Sequence, residues 1–135
     1  MPAAGFDHVA ITVADVETTL TWYERVLGAQ RLHHDLYLAG TIPIALLQVG
    51  ANRISVHDAA KPALPGARVP TVGSQDLCFR WDGTIESAAA AITDAGLEIV
   101  LGPEYRPTSD GRDGASVYTR DPDGNLIELL APAEG

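Results

Sequence analysis

The sequence predicts an α+β fold of two tandem βαβββ modules whose strands form a cupped, mostly antiparallel sheet. Three observations predict it. Short segments of alternating apolar and polar residues are interspersed with two stretches of helical periodicity. A segment holding Pro62, Pro65 and Pro70 breaks the pattern near the middle of the chain. On either side of it the elements follow the same order, with His8 twenty positions before Gly28 and Asp76 twenty positions before Gly96. Module one is read as residues 5–60, the linker as 61–73 and module two as 74–132, all in one domain spanning 1–135.

Residues 6–13 alternate Val9, Ile11 and Val13 with His8, Ala10 and Thr12, which is the pattern of a strand with one apolar face. Asp15 is a natural N-cap for a helix carrying Val16, Leu20, Tyr23 and Leu27, and Gly28 stands where a left-handed residue ends it. Strands are expected at residues 31–38, 42–49 and 53–57. In the second half, residues 75–81 alternate like the first strand, and residues 85–95 read as an alanine-rich helix ending at Gly96. Further strands are expected at 98–101, 115–120 and 126–130, with Asp121-Pro122-Asp123-Gly124-Asn125 as the turn before the last.

Composition narrows the partners. Eighteen acidic residues against nine basic ones leave a net charge of −9, which repels phosphate backbones and anionic membranes and argues against nucleic acid and membrane partners. No apolar run reaches membrane-spanning length and the N-terminal residues lack the pattern of a signal peptide, so a cytoplasmic protein is expected. The single cysteine, Cys78, lies between Leu77 and Phe79 and reads as a small core filler.

The polar residues of the strands carry the chemistry. Helices should cover the faces bearing Val9 and Ile11, Ile54 and Val56, Leu77 and Phe79, and Ile127 and Leu129. His8, His57, Asp76 and Glu128 then share the opposite face, His8 and Asp76 opening the two modules and His57 and Glu128 closing them. Two imidazoles and two carboxylates suit one divalent ion, whether Zn, Ni, Mn, Co or Fe(II). Without a cation Glu128 would be a half-buried charge needing another partner. Tyr118 and Arg120 share strand parity with Ser116 and are candidate substrate-binding groups. The adjacent pair His33 and His34 would point to opposite faces of a strand and is read as surface or rim.

The segments Asp7-His8-Val9-Ala10-Ile11-Thr12-Val13, Trp22-Tyr23, Leu27-Gly28 and the run from Ser116 to Glu128 resemble the vicinal oxygen chelate superfamily of glyoxalase I, fosfomycin-resistance enzymes, extradiol dioxygenases, methylmalonyl-CoA epimerase and bleomycin-binding proteins. The segments around Arg53 to Ala59 and Gly73 to Phe79 are most similar to its glyoxalase-like bacterial virulence proteins. The resemblance implies one metal in a cup, commonly in a homodimer, chelating vicinal oxygens of a small-molecule substrate. It also points to a glyoxalase-like lyase or isomerase, and a metal at such a site suits Lewis-acid chemistry with one weakly held carboxylate, Glu128 or Asp76, moving the proton. The alternatives are a fosfomycin-type enzyme adding thiol or water and a non-catalytic resistance protein that binds a small molecule. Fosfomycin enzymes and extradiol dioxygenases usually carry His at the place of Asp76.

Overall fold

The computed structural model describes residues 2–133, which form two compact units meeting between Gly73 and Ser74. In the first unit the order is β1 (His8–Val13), α1 (Val16–Leu27), β2 (Gln30–Leu32), α2 (His34–Leu38), β3 (Ala45–Val49) and β4 (Asn52–Asp58). The second contains β5 (Asp76–Arg80), α3 (Ile85–Asp94), β6 (Leu101–Tyr105), β7 (Gly114–Arg120) and β8 (Leu126–Pro132). Each unit holds one four-stranded sheet, in the orders β1-β4-β3-β2 and β5-β8-β7-β6. The outer pairs β1–β4 and β5–β8 are parallel and the remaining pairs antiparallel. The two orders correspond strand for strand, so the repeat read from spacing is a repeat of topology. Among the described residues no helix is long and apolar enough to cross a membrane.

Helix α1 begins where the Asp15 carboxylate accepts from the Thr18 amide at 2.8 Å and ends at Gly28, whose φ of 67° is open to glycine at little cost. Its inner face buries Val16, Leu20, Tyr23 and Val26 in the same unit as the buried Ile11, Val13, Leu47, Ile54 and Val56. In the second unit Ala88 and Ile92 of α3 are buried, as are Val117, Ile127 and Leu129 of the sheet. A fully buried Leu or Ile contributes about 1.5–3 kcal/mol relative to exposure, so these stripes determine which face of each sheet is covered. The opposite faces carry the polar residues.

Three expectations are corrected. The strand expected over residues 31–38 is only Gln30–Leu32, after which His33 turns left-handed (φ 52°) and the chain forms the five-residue helix α2. His34 consequently lies in a helix, and its Nε2 accepts from Arg31 at 3.0 Å. Arg31 is held as well by Glu17 and Glu24 of α1, which draws this insertion toward the first helix. The strand expected at 98–101 begins at Leu101 and continues through Gly102 and Pro103, tolerable because β6 is an edge strand. Gly102 (φ 102°) lies so close to the Ser116 carbonyl that no side chain would fit there. Cys78, expected in the core, is exposed as a residue, with only its thiol partly shielded by neighbouring side chains, because alternation turns it to the face opposite the half-buried Leu77 and Phe79.

Candidate functional site

The open face of the second unit concentrates most of the polar chemistry. Asp76 pairs with Leu126, Cys78 with Glu128 and Arg80 with Leu130 along β5–β8, while Tyr118 pairs with Glu128 and Ser116 with Leu130 along β7–β8. Glu128 therefore sits in a central strand with Cys78 on one flank and Tyr118 on the other. Asp76 is its diagonal neighbour, at a strand spacing of about 7 Å.

Glu128 has protein partners. The Ser116 hydroxyl donates to its Oε2 at 2.7 Å, and the Tyr118 hydroxyl and the Cys78 thiol, on the flanking strands, lie near enough to feel its charge. The partner that this half-buried carboxylate needs in the absence of a cation is thus supplied in part by Ser116 of the neighbouring strand. Burial, reinforced by the negative charge of Glu128, pushes the Cys78 thiol up to about 12. Burial likewise raises the Tyr118 hydroxyl above its ordinary value, so both groups are donors at neutral pH.

Behind Tyr118 stands Arg106, a residue that strand parity could not reveal because it lies just beyond β6. Its Nε donates to the Tyr118 hydroxyl at 2.9 Å, its Nη1 donates to the Tyr105 carbonyl at 2.7 Å, and its guanidinium lies over the Tyr118 ring, 5.7 Å from the centroid. Arg120, the expected substrate-binding residue, is exposed and donates to the Gly124 carbonyl at 3.3 Å. Below it the fully buried Asn125 receives the Gln75 amide at 2.8 Å and donates to Asp121 at 2.8 Å. That clamp ties the β7–β8 turn to the start of β5 and so sets where Asp76 begins its strand. Parity could have found Ser116 and Cys78, since each shares a face with Glu128.

In the first unit His8 pairs with Arg53 and Thr12 with His57. His57 thus lies four residues farther along the sheet than His8, about 13 Å at roughly 3.3 Å per residue, and the two imidazoles do not converge within this unit. The repeat is also in a different register from the one read off the spacing. His8 faces Arg53 as Asp76 faces Leu126, so the counterpart of Glu128 is Ser55 and that of His57 is Leu130. His8 is half-exposed, its Nδ1 donates to Asp7 at 2.8 Å, and the bond holds the Asp7 carboxyl below its ordinary range. Carboxylates often orient metal-binding imidazoles in this way. Among the described residues no three His, Cys, Asp or Glu side chains gather as a metal cage. The donors on the second unit's face are the diagonal pair Asp76 and Glu128, hard oxygen ligands whose charges match those of a divalent ion.

The chain is similar along most of its length to two curated proteins. Virulence protein STM3117 of Salmonella typhimurium is 39% identical over 123 residues, which cover 91% of this chain and 81% of that protein. The glyoxalase domain-containing protein RDO1 of Mycosarcoma maydis is 37% identical over 123 residues, 91% of this chain but 65% of that longer protein. The crystal structure of STM3117 superposes with a TM-score of 0.87 at 37% identity, covering 98% of this chain and 100% of that one. The fosfomycin resistance protein FosX of Listeria monocytogenes, solved with Mn(II) and sulfate, shares the fold at a TM-score of 0.63 and 17% identity, over 98% of this chain and 93% of that one. The family described as the Glyoxalase/Bleomycin resistance protein/Dioxygenase superfamily matches residues 5–129, and the chain belongs to it.

Proposed function

We propose that this protein is a divalent-metal-assisted, glyoxalase-like enzyme that moves a proton on a small oxygen-rich molecule, with Glu128 as the base. One observation carries the reading: the half-buried Glu128 of a central strand is held by the Ser116 hydroxyl and flanked by Tyr118, with the exposed Asp76 as its diagonal neighbour. Asp76 and Glu128 are the carboxylates of this module that would hold the ion. A bound divalent cation would supply the positive charge that stabilises an oxyanion developing on the substrate. The Mn(II) held by FosX, a protein of the same fold, is consistent with such use.

The chain's own groups do the rest. Ser116 fixes the orientation of the Glu128 carboxylate, so the oxygen that receives the proton is aimed before the substrate arrives. The Tyr118 hydroxyl accepts from Arg106, and its own proton is available to donate to substrate oxygen. His8, with its ring fixed by Asp7, is the first module's candidate ligand. His57 stands apart from it in register.

The test has two stages. Chelator-treated protein is titrated calorimetrically with Mn(II) and Zn(II), alongside Asp76→Ala, Glu128→Ala and His8→Ala. Loss of most affinity in the first two is expected, and unchanged affinity in both removes the metal from the reading. Metal-loaded protein is then offered 2-oxoaldehyde–thiol adducts, fosfomycin and 2-substituted acyl thioesters. Turnover that disappears in Glu128→Gln supports the enzyme, and the compound consumed separates isomerase chemistry from the addition of thiol or water. Tight binding without turnover under either metal marks a sequestering protein instead.

A further inference from the structure

The proposed chemistry leaves the charge of the substrate open. We infer that the substrate is a small carboxylic acid and that Arg106 is the residue that grips its carboxylate, an inference that rests on the reading of the Glu128 face above. In a chain of net charge −9, an anion is retained only where a cation is locally fixed in place. Arg106 is fixed. Its Nε is engaged by the Tyr118 hydroxyl, its Nη1 by the Tyr105 carbonyl, and its plane by the Tyr118 ring.

All three partners are neutral. Arg31 is neutralised by Glu17 and Glu24, and Arg80 is paired with Asp110, whereas among the described residues no carboxylate is paired with Arg106. Glu104 and Glu128 are near enough to be felt electrostatically but not to close an ion pair. A guanidinium has five N–H donors, and the two engaged here leave three, enough to meet a carboxylate through two hydrogen bonds. Because the fork is already held in place, little side-chain freedom is lost when it binds.

The position relative to Glu128 narrows the ligand further. Tyr118 is bonded to Arg106 and stands opposite Glu128 across the β7–β8 pair, so an acid held by Arg106 lies one side chain away from the base. The class that fits is an acid with a second oxygen next to its carboxylate, a 2-hydroxy or 2-oxo acid. Its carboxylate would lie on Arg106, its second oxygen at the Tyr118 hydroxyl and its neighbouring C–H toward Glu128.

The experiment follows the arginine Nε–H signal by nitrogen-15 NMR, assigned to Arg106 with Arg106→Lys. Lactate, pyruvate and malate are titrated against lactamide and the methyl esters of the same acids, with inorganic sulfate as a bare anion. The acids should perturb the Arg106 signal and bind at least about tenfold more tightly than their neutral analogues. That preference should vanish in Arg106→Gln, partly survive in Arg106→Lys and persist in Glu128→Gln. Equal binding of acids and amides, a preference retained in Arg106→Gln, sulfate binding as tightly as the acids, or no acid binding at tens of millimolar would each overturn the inference. Persistence in Glu128→Gln separates the two readings: acid recognition without turnover defeats only the proposed catalysis, and turnover of neutral compounds indifferent to Arg106 defeats only the acid.

Discussion

The pairing of Cys78 with Glu128 makes the single thiol a reporter on the proposed base. Cross-strand neighbours stand about 5 Å apart at Cβ, where two unit charges interact by about 0.8 kcal/mol in water and about 3.3 kcal/mol at an effective dielectric of 20. At about 1.4 kcal/mol per pKa unit, replacing Glu128 by glutamine should lower the thiol by about 0.6 to 2.4 units. The richer thiolate population is partly offset because a less basic thiolate is a weaker nucleophile, with a Brønsted slope of about 0.45. The alkylation rate at neutral pH should therefore rise by about 2- to 20-fold. The assay is iodoacetamide labelling of metal-free protein followed by mass spectrometry across a pH series. With the wild-type thiol pushed up to about 12, labelling should keep accelerating well above the pH at which an ordinary thiol levels off. A wild-type profile levelling near the ordinary 9.0, or a Glu128→Gln rate equal to or below wild type, would refute the placement of this carboxylate beside the thiol.

Two further perturbations test the framework. Asn125→Ala strips partners from the Gln75 amide and from buried Asp121, and should destabilise the protein by about 3 kcal/mol in urea unfolding. A loss below about 1 kcal/mol would show that the clamp is not holding β5 to the turn. Arg31→Met should destabilise more at pH 7 than at about pH 3, because Arg31 lowers the Glu17 carboxyl below its ordinary value. A carboxyl depressed in the folded state contributes stability above its unfolded pKa and loses it as pH falls through the folded one. An equal difference between the proteins at both pH values would show that the ion pair contributes nothing.

Much of this architecture was legible without coordinates, because the signals are local. The Asp15 cap, the Gly28 terminus and the spacing of Leu20 and Tyr23 define α1 through interactions within a few turns of chain. Period-two alternation assigned the faces of β1, β4, β5 and β8, and hence the polar side of each sheet, with His8 in the first unit and Asp76 and Glu128 in the second, since successive side chains of a strand must point to opposite sides. The same rule already held the answer for Cys78, whose neighbours Leu77 and Phe79 were placed on the covered face. Alternation is silent about register, however. It says which way His57 points but not where along β1 it stands, and sliding a strand by two residues preserves every face while moving a side chain by about 7 Å. The crossover connections between parallel strands settled that position, putting Ser55 and not His57 at the counterpart of Glu128. Tertiary contact also decided the residues outside any periodic element. Helix α2 forms where a strand pattern was read, and Arg106 meets Tyr118 only because β6 pairs with β7, bringing together residues twelve positions apart whose meeting no local pattern encodes.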